Sequence, residues 1–301
     1  PSNFIFGRAY GLAPSNVTLT VRYLKGGGIK SNVPANSITT QVSVTSNTPV
    51  FSNNSQVKDT LAFNNPTAAT GGKDGDTIEE LRQNSLKSFN EQGRLITKED
   101  YEFRALAMPS NLGSVAKAYA LGNENNSNLS QQDLAHVNLY TLSYDINNKL
   151  VETNGFTEVN LVAYLGLFKP ITTGIHIKQA FVVNIGVKFE IITRPNYNSR
   201  DVLLRCNNAL QSFFDINKWS INQPINLADI FTLLDKITGV QTVQTIDIFN
   251  KNKTTHGNNY GIYGYDIAGA TKNNIIYPSY DPMIFEVKYP ETDIEGRVTT
   301  L

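Results

Sequence analysis

Cysteine is nearly absent: the 301 residues contain one, Cys206, so no internal disulfide framework can staple the fold. Histidine is scarce too. His136, His176 and His256 are the only three, and none has a second histidine, a cysteine or a carboxylate at zinc-ligand spacing in the sequence. Charge of either sign is sparse at 17%, and the 26 basic residues cancel the 26 acidic ones. Lys25, Lys30, Lys58 and Lys73 are too dispersed to form a stripe, which argues against a general hold on nucleic acid or acidic membranes. No apolar run reaches the roughly 18 residues that a membrane helix needs. The chain opens at Pro1 without a Met or a signal peptide, as expected of a fragment of something longer. Its length predicts two or three domains. The N-x-S/T triplets at Asn16, Asn53, Asn125, Asn128 and Asn252 are expected by chance in so Asn-rich a chain.

One glycine-rich stretch invites a chemical reading. TGGKDGDTIEELR, residues 70 to 82, places glycines, a lysine and four carboxylates together. A phosphate loop needs Gly, four residues, then Gly-Lys-Ser/Thr; here Asp74 follows Lys73 and would repel the phosphate. A calcium loop needs oxygen ligands at alternate positions, a glycine at the sixth and a glutamate at the twelfth. Asp74 and Asp76 fit the first two, but Ile78 holds the third and no glycine sits at the sixth. A helix start fits better. Thr77 and Glu80 have capping-box spacing, Asp76, Glu79 and Glu80 favour the positive end of the helix dipole, and Ile78, Leu81 and Phe89 fall on one face.

Periodicity organises the rest. Residues 17 to 23 (VTLTVRY) alternate as a half-buried strand, three glycines and a proline interrupt, and residues 38 to 45 (ITTQVSVT) read as another strand. A second helix is capped at Thr97, turns Tyr101, Ala105 and Met108 inward and stops at Pro109. Two strand candidates follow, SVAKAYAL and HVNLYTLSY, then a helix from about 157 to 168 and a short strand at 175 to 177. FVVNIGVKFEIIT, residues 181 to 193, gives the clearest signal. Phe181, Val183, Ile185, Val187, Phe189 and Ile191 share one face, and Asn184, Lys188 and Glu190 the other, as in an antiparallel sheet with one wet side. Val202, Cys206, Leu210 and Phe213 follow helical spacing. A helix from Asn226 turns Leu227, Ile230, Leu234 and Ile237 inward and ends at Gly239, and VQTVQTIDIF is a closing strand.

The predicted fold class is therefore α+β multi-domain. A β-rich segment covers 1–60, a helical pair plus an α+β unit 61–178, a second α+β unit with an antiparallel sheet 179–250, and an extended Tyr-rich tail 251–301. The tail is too rich in Gly and Asn to build a core, yet it concentrates tyrosines. Tyr260, Tyr263, Tyr265, Tyr277, Tyr280 and Phe285 are the candidate interface residues, because Tyr supplies amphipathic contact area at low rotamer cost. The competing reading is that the tail only wraps its own domain.

No catalytic, cofactor-binding or metal residue is predicted, and no enzyme activity. Cys206 lies on the apolar face of its helix, where a thiol is inert. Glu99 and Asp100 adjoin a helix start, which explains them as capping and dipole partners. Tyr- and Asn-rich loops suit sugar stacking, so a tail-associated carbohydrate-binding or carbohydrate-processing module is the alternative. The lone Trp219, in the connection INKWSINQP, is expected to anchor core instead.

Several segments together resemble the baseplate J-like family of contractile phage tails. VRYLKGGGIKSNVPANSIT is similar to that family's Tyr–Gly-rich–Asn-Val-Pro-Ala-Gly segment, with Asn36 where many members carry Gly. TAATGGKDGDTIEELRQNSLKSFNEQGRLITKEDYEFRALAMP resembles its signature, in which Gly-Gly and an acidic turn precede a helix, followed by an Arg and Thr-x-x-Asp-Tyr. Arg94, Thr97, Asp100 and Tyr101 match these. Residues 181 to 248, with TGVQTVQ, resemble the C-terminal α+β domain, and the tail from Tyr263 to Val298 is similar to that of the large baseplate wedge subunits of T-even-type phages. The resemblance implies a structural protein of the virion tail baseplate, assembled in the host cytoplasm. Its expected partners are a second copy (a homodimer) and other wedge proteins, with no nucleic acid, membrane or cofactor.

Overall fold

The computed structural model describes residues 18, 20, 28–39, 62–72, 74–75, 78, 81, 93–122 and 136–299. The expected strands at 17–23 and 38–45 and the helix opened at Thr77 lie almost wholly outside these. Ile78 and Leu81 are helical and solvent-exposed.

Helix α1, Lys98–Leu106, begins where local chemistry dictates. Thr97 accepts a hydrogen bond from Asp100 N, and the Asp100 carboxylate accepts from Thr97 N at 2.8 Å and from Ile96 N at 3.0 Å. Two of the orphan donors at the helix start are thus satisfied reciprocally. Tyr101, Ala105 and Met108 are buried, as their spacing predicts. Thr97→Ala removes half of this box and should lower unfolding stability by about 1 kcal/mol, read from the urea midpoint. A loss below ~0.3 kcal/mol would mean that the box does not hold the helix start.

The first sheet is built on β2, His136–Tyr144. It pairs antiparallel with β1, Lys117–Gly122, and with the short β3, Leu150–Val151, and parallel with β4, Gly174–Gln179. Helix α2, Gly155–Gly166, is capped by Asn154, whose side chain accepts from Phe156 N. Leu161 and Leu165 of α2 share a core with Leu139 of β2 and Leu95, Tyr101, Ala105 and Met108. Residues alternate across β2, so Leu142 and Tyr144 leave this core and enter the second one.

That second core is organised by β5, Phe181–Thr193. Val183, Ile185, Val187, Phe189 and Ile191 pack beneath α3, Ser199–Phe213, through Val202, Cys206 and Leu210. Ile230 and Leu234 of α4, Leu227–Asp235, complete it; α4 follows the two-residue strand β6, Ile225–Asn226. Phe214, one residue beyond α3, is the buried phenylalanine there, with Phe213 half-exposed. β7, Val240–Asn250, runs antiparallel along one edge of β5 after the chain reverses at Gly239, φ +101°.

The α+β multi-domain class holds, and the antiparallel pairs are present, but both sheets are mixed. In the first sheet β4 is the parallel strand; in the second the parallel strands come from the C-terminal fifty residues, expected as an extended tail. They form α5, Lys253–His256, α6, Ile267–Ala270, β8, Thr271–Lys272, β9, Ile275–Ile276, β10, Met283–Glu286, α7, Pro290–Asp293, and β11, Ile294–Val298. β8 and β9 make a small three-stranded sheet with β6. β10 and β11 both pair parallel with β5, at 181–184 and 187–191. Lys251 N donates to Asn184 O, while Phe181 N donates to Pro282 O and Thr299 N to Ile191 O. Alternate residues of a strand face opposite edges, so β10 and β11 lie end to end along the edge of β5 opposite β7.

The glycine-rich segment is architectural. Gly71 has φ +96°, and a Cβ on Gly72 would meet Gly28 O at 2.5 Å. Gly72 N donates to the buried Asn32 side chain, which itself donates to Tyr144 O. Asn36 has φ +58°, a left-handed position that Asn tolerates better than other residues with a side chain.

Candidate interaction surfaces

The predicted interface residues divide sharply. Phe285 is only 4% exposed in the second core, because β10 is part of the sheet. Tyr263 packs edge-on against Phe181 at 4.8 Å, and Tyr265 against Phe285 at 5.7 Å while its hydroxyl donates to Tyr277 O. Tyr260 donates its hydroxyl to Asp293 Oδ1 at 2.7 Å. Four of the six are therefore engaged within the chain; only Tyr277 and Tyr280 offer substantial ring surface to solvent, the latter 85% exposed.

What turns the tail inward is a buried polar clasp. Lys251, at the end of β7, donates to Asp293 Oδ1 at 2.8 Å, with side chains 9% and 0% exposed. Asp293 Oδ2 accepts from Tyr289 N at 2.8 Å. The Lys251 ammonium also stands 5.6 Å from the ring centroids of Phe249 and Tyr260, where the aromatic faces favour a cation. Burial, and then the hydrogen bond to Asp293, push the Tyr260 hydroxyl far above the usual tyrosine range. Beside the clasp, Glu286 accepts from Leu150 N at 3.0 Å and from Asn184 Nδ2 at 2.8 Å, joining β10 to both sheets. Burial raises its carboxyl above the usual range, while the Leu150 N–H, Lys288, Lys149 and Asn184 pull it back. Asn184, expected on a wet face, is buried because Gly261 N donates to its Oδ1 from the overlying tail.

A surface that sequence reading missed lies on α2. Its buried side carries Thr157, Leu161 and Leu165. At 100° per residue the opposite half holds Gly155, Phe156, Val159, Val162, Ala163, Gly166 and, at the C-cap, Leu167, with Asn160 at its edge donating to Leu112 O at 2.8 Å. None is charged. Phe156 is 83% exposed, Val159 70% and Leu167 78%. Ile96 and Ile171 are exposed as well, Ile171 near the helix end in sequence and Ile96 through the hydrogen bond from Leu95 N to Phe168 O. An exposed apolar surface of this kind marks a contact face. Among the described residues none covers this half.

Site chemistry is thin. His136 and His176, forty residues apart, stack across β2 and β4 at 4.6 Å, a proximity the spacing rule could not see. Among the described residues no cluster of three or more His, Cys, Asp or Glu could hold a metal. His256 Nδ1 lies 2.6 Å from Thr255 Oγ1. Cys206 is fully buried, and burial pushes its thiol up to about 11, which leaves it protonated and unreactive. Asp74, a ligand in the calcium reading, accepts from Ile29 N at 3.1 Å instead. Trp219 is buried; its indole N–H donates to Phe213 O at 2.9 Å and its ring stacks on Phe214, so it is not displayed for a sugar.

No family model matches the chain, and no curated protein does. Among solved structures it is similar to a chain in the cryo-EM structure of the anti-feeding prophage (AFP) baseplate, 6-fold symmetrised. The two share 10% identity at a TM-score of 0.45, over 88% of this chain and 51% of that one. This chain thus spans about half the length of the one it matches.

Proposed function

We propose that the chain is a structural subunit of a contractile-tail baseplate, acting by binding and not by catalysis. The observation that carries an interaction role is the uncharged, outward half of α2, whose exposure in isolation runs against the hydrophobic effect. The baseplate assignment rests on the motif resemblance. Of the motif residues that the structure describes, Gly71, Gly72, Thr97, Asp100 and Tyr101 serve turns, a helix cap and a core, as a scaffold reading requires, while Arg94 is exposed. In this reading the partners are other wedge proteins and a second copy, joined around the tail hub in particles assembled in the host cytoplasm. Tyr277 and Tyr280 are the tail residues free to serve as further contacts.

Deleting the gene in a particle-producing cell should abolish complete tails, and supplying it in trans should restore them. Cys206→Ala combined with alanine at His136, His176 and His256 should restore tails equally well. Complete, contractile tails from the deletion strain would refute the assignment.

A further inference from the structure

We propose that Lys251 and Asp293 become joined by an intramolecular isopeptide bond, tying the end of β7 covalently to the residue before β11. The ion pair is the reactant. Lys251 Nζ stands 2.8 Å from Asp293 Oδ1, and the two side chains are 9% and 0% exposed. The two residues flank opposite edges of β5, and Gly186 of that strand lets the lysine cross between them. A Cβ on Gly186 would meet Lys251 Cε at 2.9 Å. Register sets the other half of the site. Ile294 pairs with Val187, so Asp293, one residue earlier, comes level with Gly186. The rings of Phe249 and Tyr260 wall the ammonium, their centroids 5.6 Å from Nζ.

Each group that the condensation needs is in place. Asp293 Oδ1, the oxygen that leaves, accepts from Lys251 and from the Tyr260 hydroxyl at 2.7 Å. Asp293 Oδ2, which becomes the oxyanion, accepts from the fixed backbone donor Tyr289 N at 2.8 Å. Burial keeps the Tyr260 hydroxyl protonated and able to donate. One proton first passes from Nζ to Oδ1 along their hydrogen bond, leaving an amine beside a carboxyl. Water would oppose that transfer by solvating both charges; a dry site does not. The amine lone pair attacks Cγ, the C–N bond forms, and negative charge gathers on Oδ2. A second proton moves from the nitrogen to Oδ1 by way of the Tyr260 hydroxyl. The Cγ–Oδ1 bond then breaks, the carbonyl re-forms, and one water departs, with no oxidant, metal or energy source consumed. Holding amine and carboxyl in contact supplies a large effective concentration, and loss of the water to solvent carries the step forward. The product closes residues 251 to 293 into a covalent loop, which restricts the unfolded chain as a disulfide would.

Mass spectrometry of the full chain, purified folded, kept warm for days and then denatured, reads the bond directly. The expected mass is one water below that of the sequence. Trypsin should then release residues 237–253 joined to residues 289–297, because an acylated Lys251 is no longer a cleavage site. Lys251→Met should keep its own sequence mass and give no joined peptide. The full sequence mass in the aged, folded chain overturns the proposal. A water loss without the joined peptide, or one that persists in Lys251→Met, also overturns it, because the dehydration then lies elsewhere. The unmodified chain decides the matter alone should Lys251→Met fail to fold.

Discussion

Replacing Asp293 with alanine should destabilise the chain by about 3–5 kcal/mol, among the largest effects of any single substitution in it. The carboxylate is fully buried and accepts from three groups: the Lys251 ammonium, the Tyr260 hydroxyl and Tyr289 N. Alanine leaves an ammonium in a nearly dry site, together with two more unpartnered donors. Aromatic faces at 5.6 Å compensate only a fraction of that charge. Lys251→Met is the instructive contrast. It removes the cation but leaves Asp293 with its hydroxyl and backbone donors, so the loss should be smaller. Trp219, the lone tryptophan and buried in the same core, reports unfolding in urea by its fluorescence. A loss below ~1 kcal/mol for Asp293→Ala, or a larger loss for Lys251→Met, would mean that the clasp does not hold the C-terminal segment.

A second large effect is expected from truncation. A chain ending at residue 281 lacks β10, α7 and β11, and with them the buried side chains Met283, Ile284, Phe285, Val287 and Ile294. At about 1.5–3 kcal/mol for each buried apolar side chain, the loss is on the order of 10 kcal/mol, comparable to the whole net stability of a typical domain. It also strips one edge of β5 and exposes unpaired backbone along a long hydrophobic strand, which invites aggregation. The truncated chain should show no cooperative Trp219 transition. If it melted like the full chain, the last twenty residues would be an appendage and not part of the sheet.

The contrast between these residues and the rest shows what a sequence exposes. α1 was legible because Thr97, Asp100, Tyr101 and Ala105 signal over a few residues, through caps and a 3.6-residue period. α3 and α4 were legible because each buries one face only, and β5 because its apolar residues alternate with Asn184, Lys188 and Glu190, although the tail buries Asn184 as well. β10 and β11 are short, one contains Gly296, and both pair with a strand roughly one hundred residues earlier. Nothing local marks such pairing. Nothing local marks Asp293, Glu286 and Lys251 as buried, because their burial depends on partners far away in the chain. Tyr260, Tyr263, Tyr265 and Phe285 carried a sound signal, aromatic residues that do not stay solvated, but the surface covering them belongs to their own chain. The outward face of α2 was not legible either: apolar residues lie on both the buried and the exposed half, so the spacing does not single out one face, and only coordinates reveal which half is left bare.

The central claim is that this chain is a building block of a contractile-tail baseplate. Its most direct test is the protein content of purified tails, measured by quantitative mass spectrometry alongside cryo-EM of the same particles. The account predicts this chain in every particle, at a fixed copy number matching the baseplate symmetry, with density for its β5 sheet in the ring. Purified contractile tails that contain none of it would contradict the account.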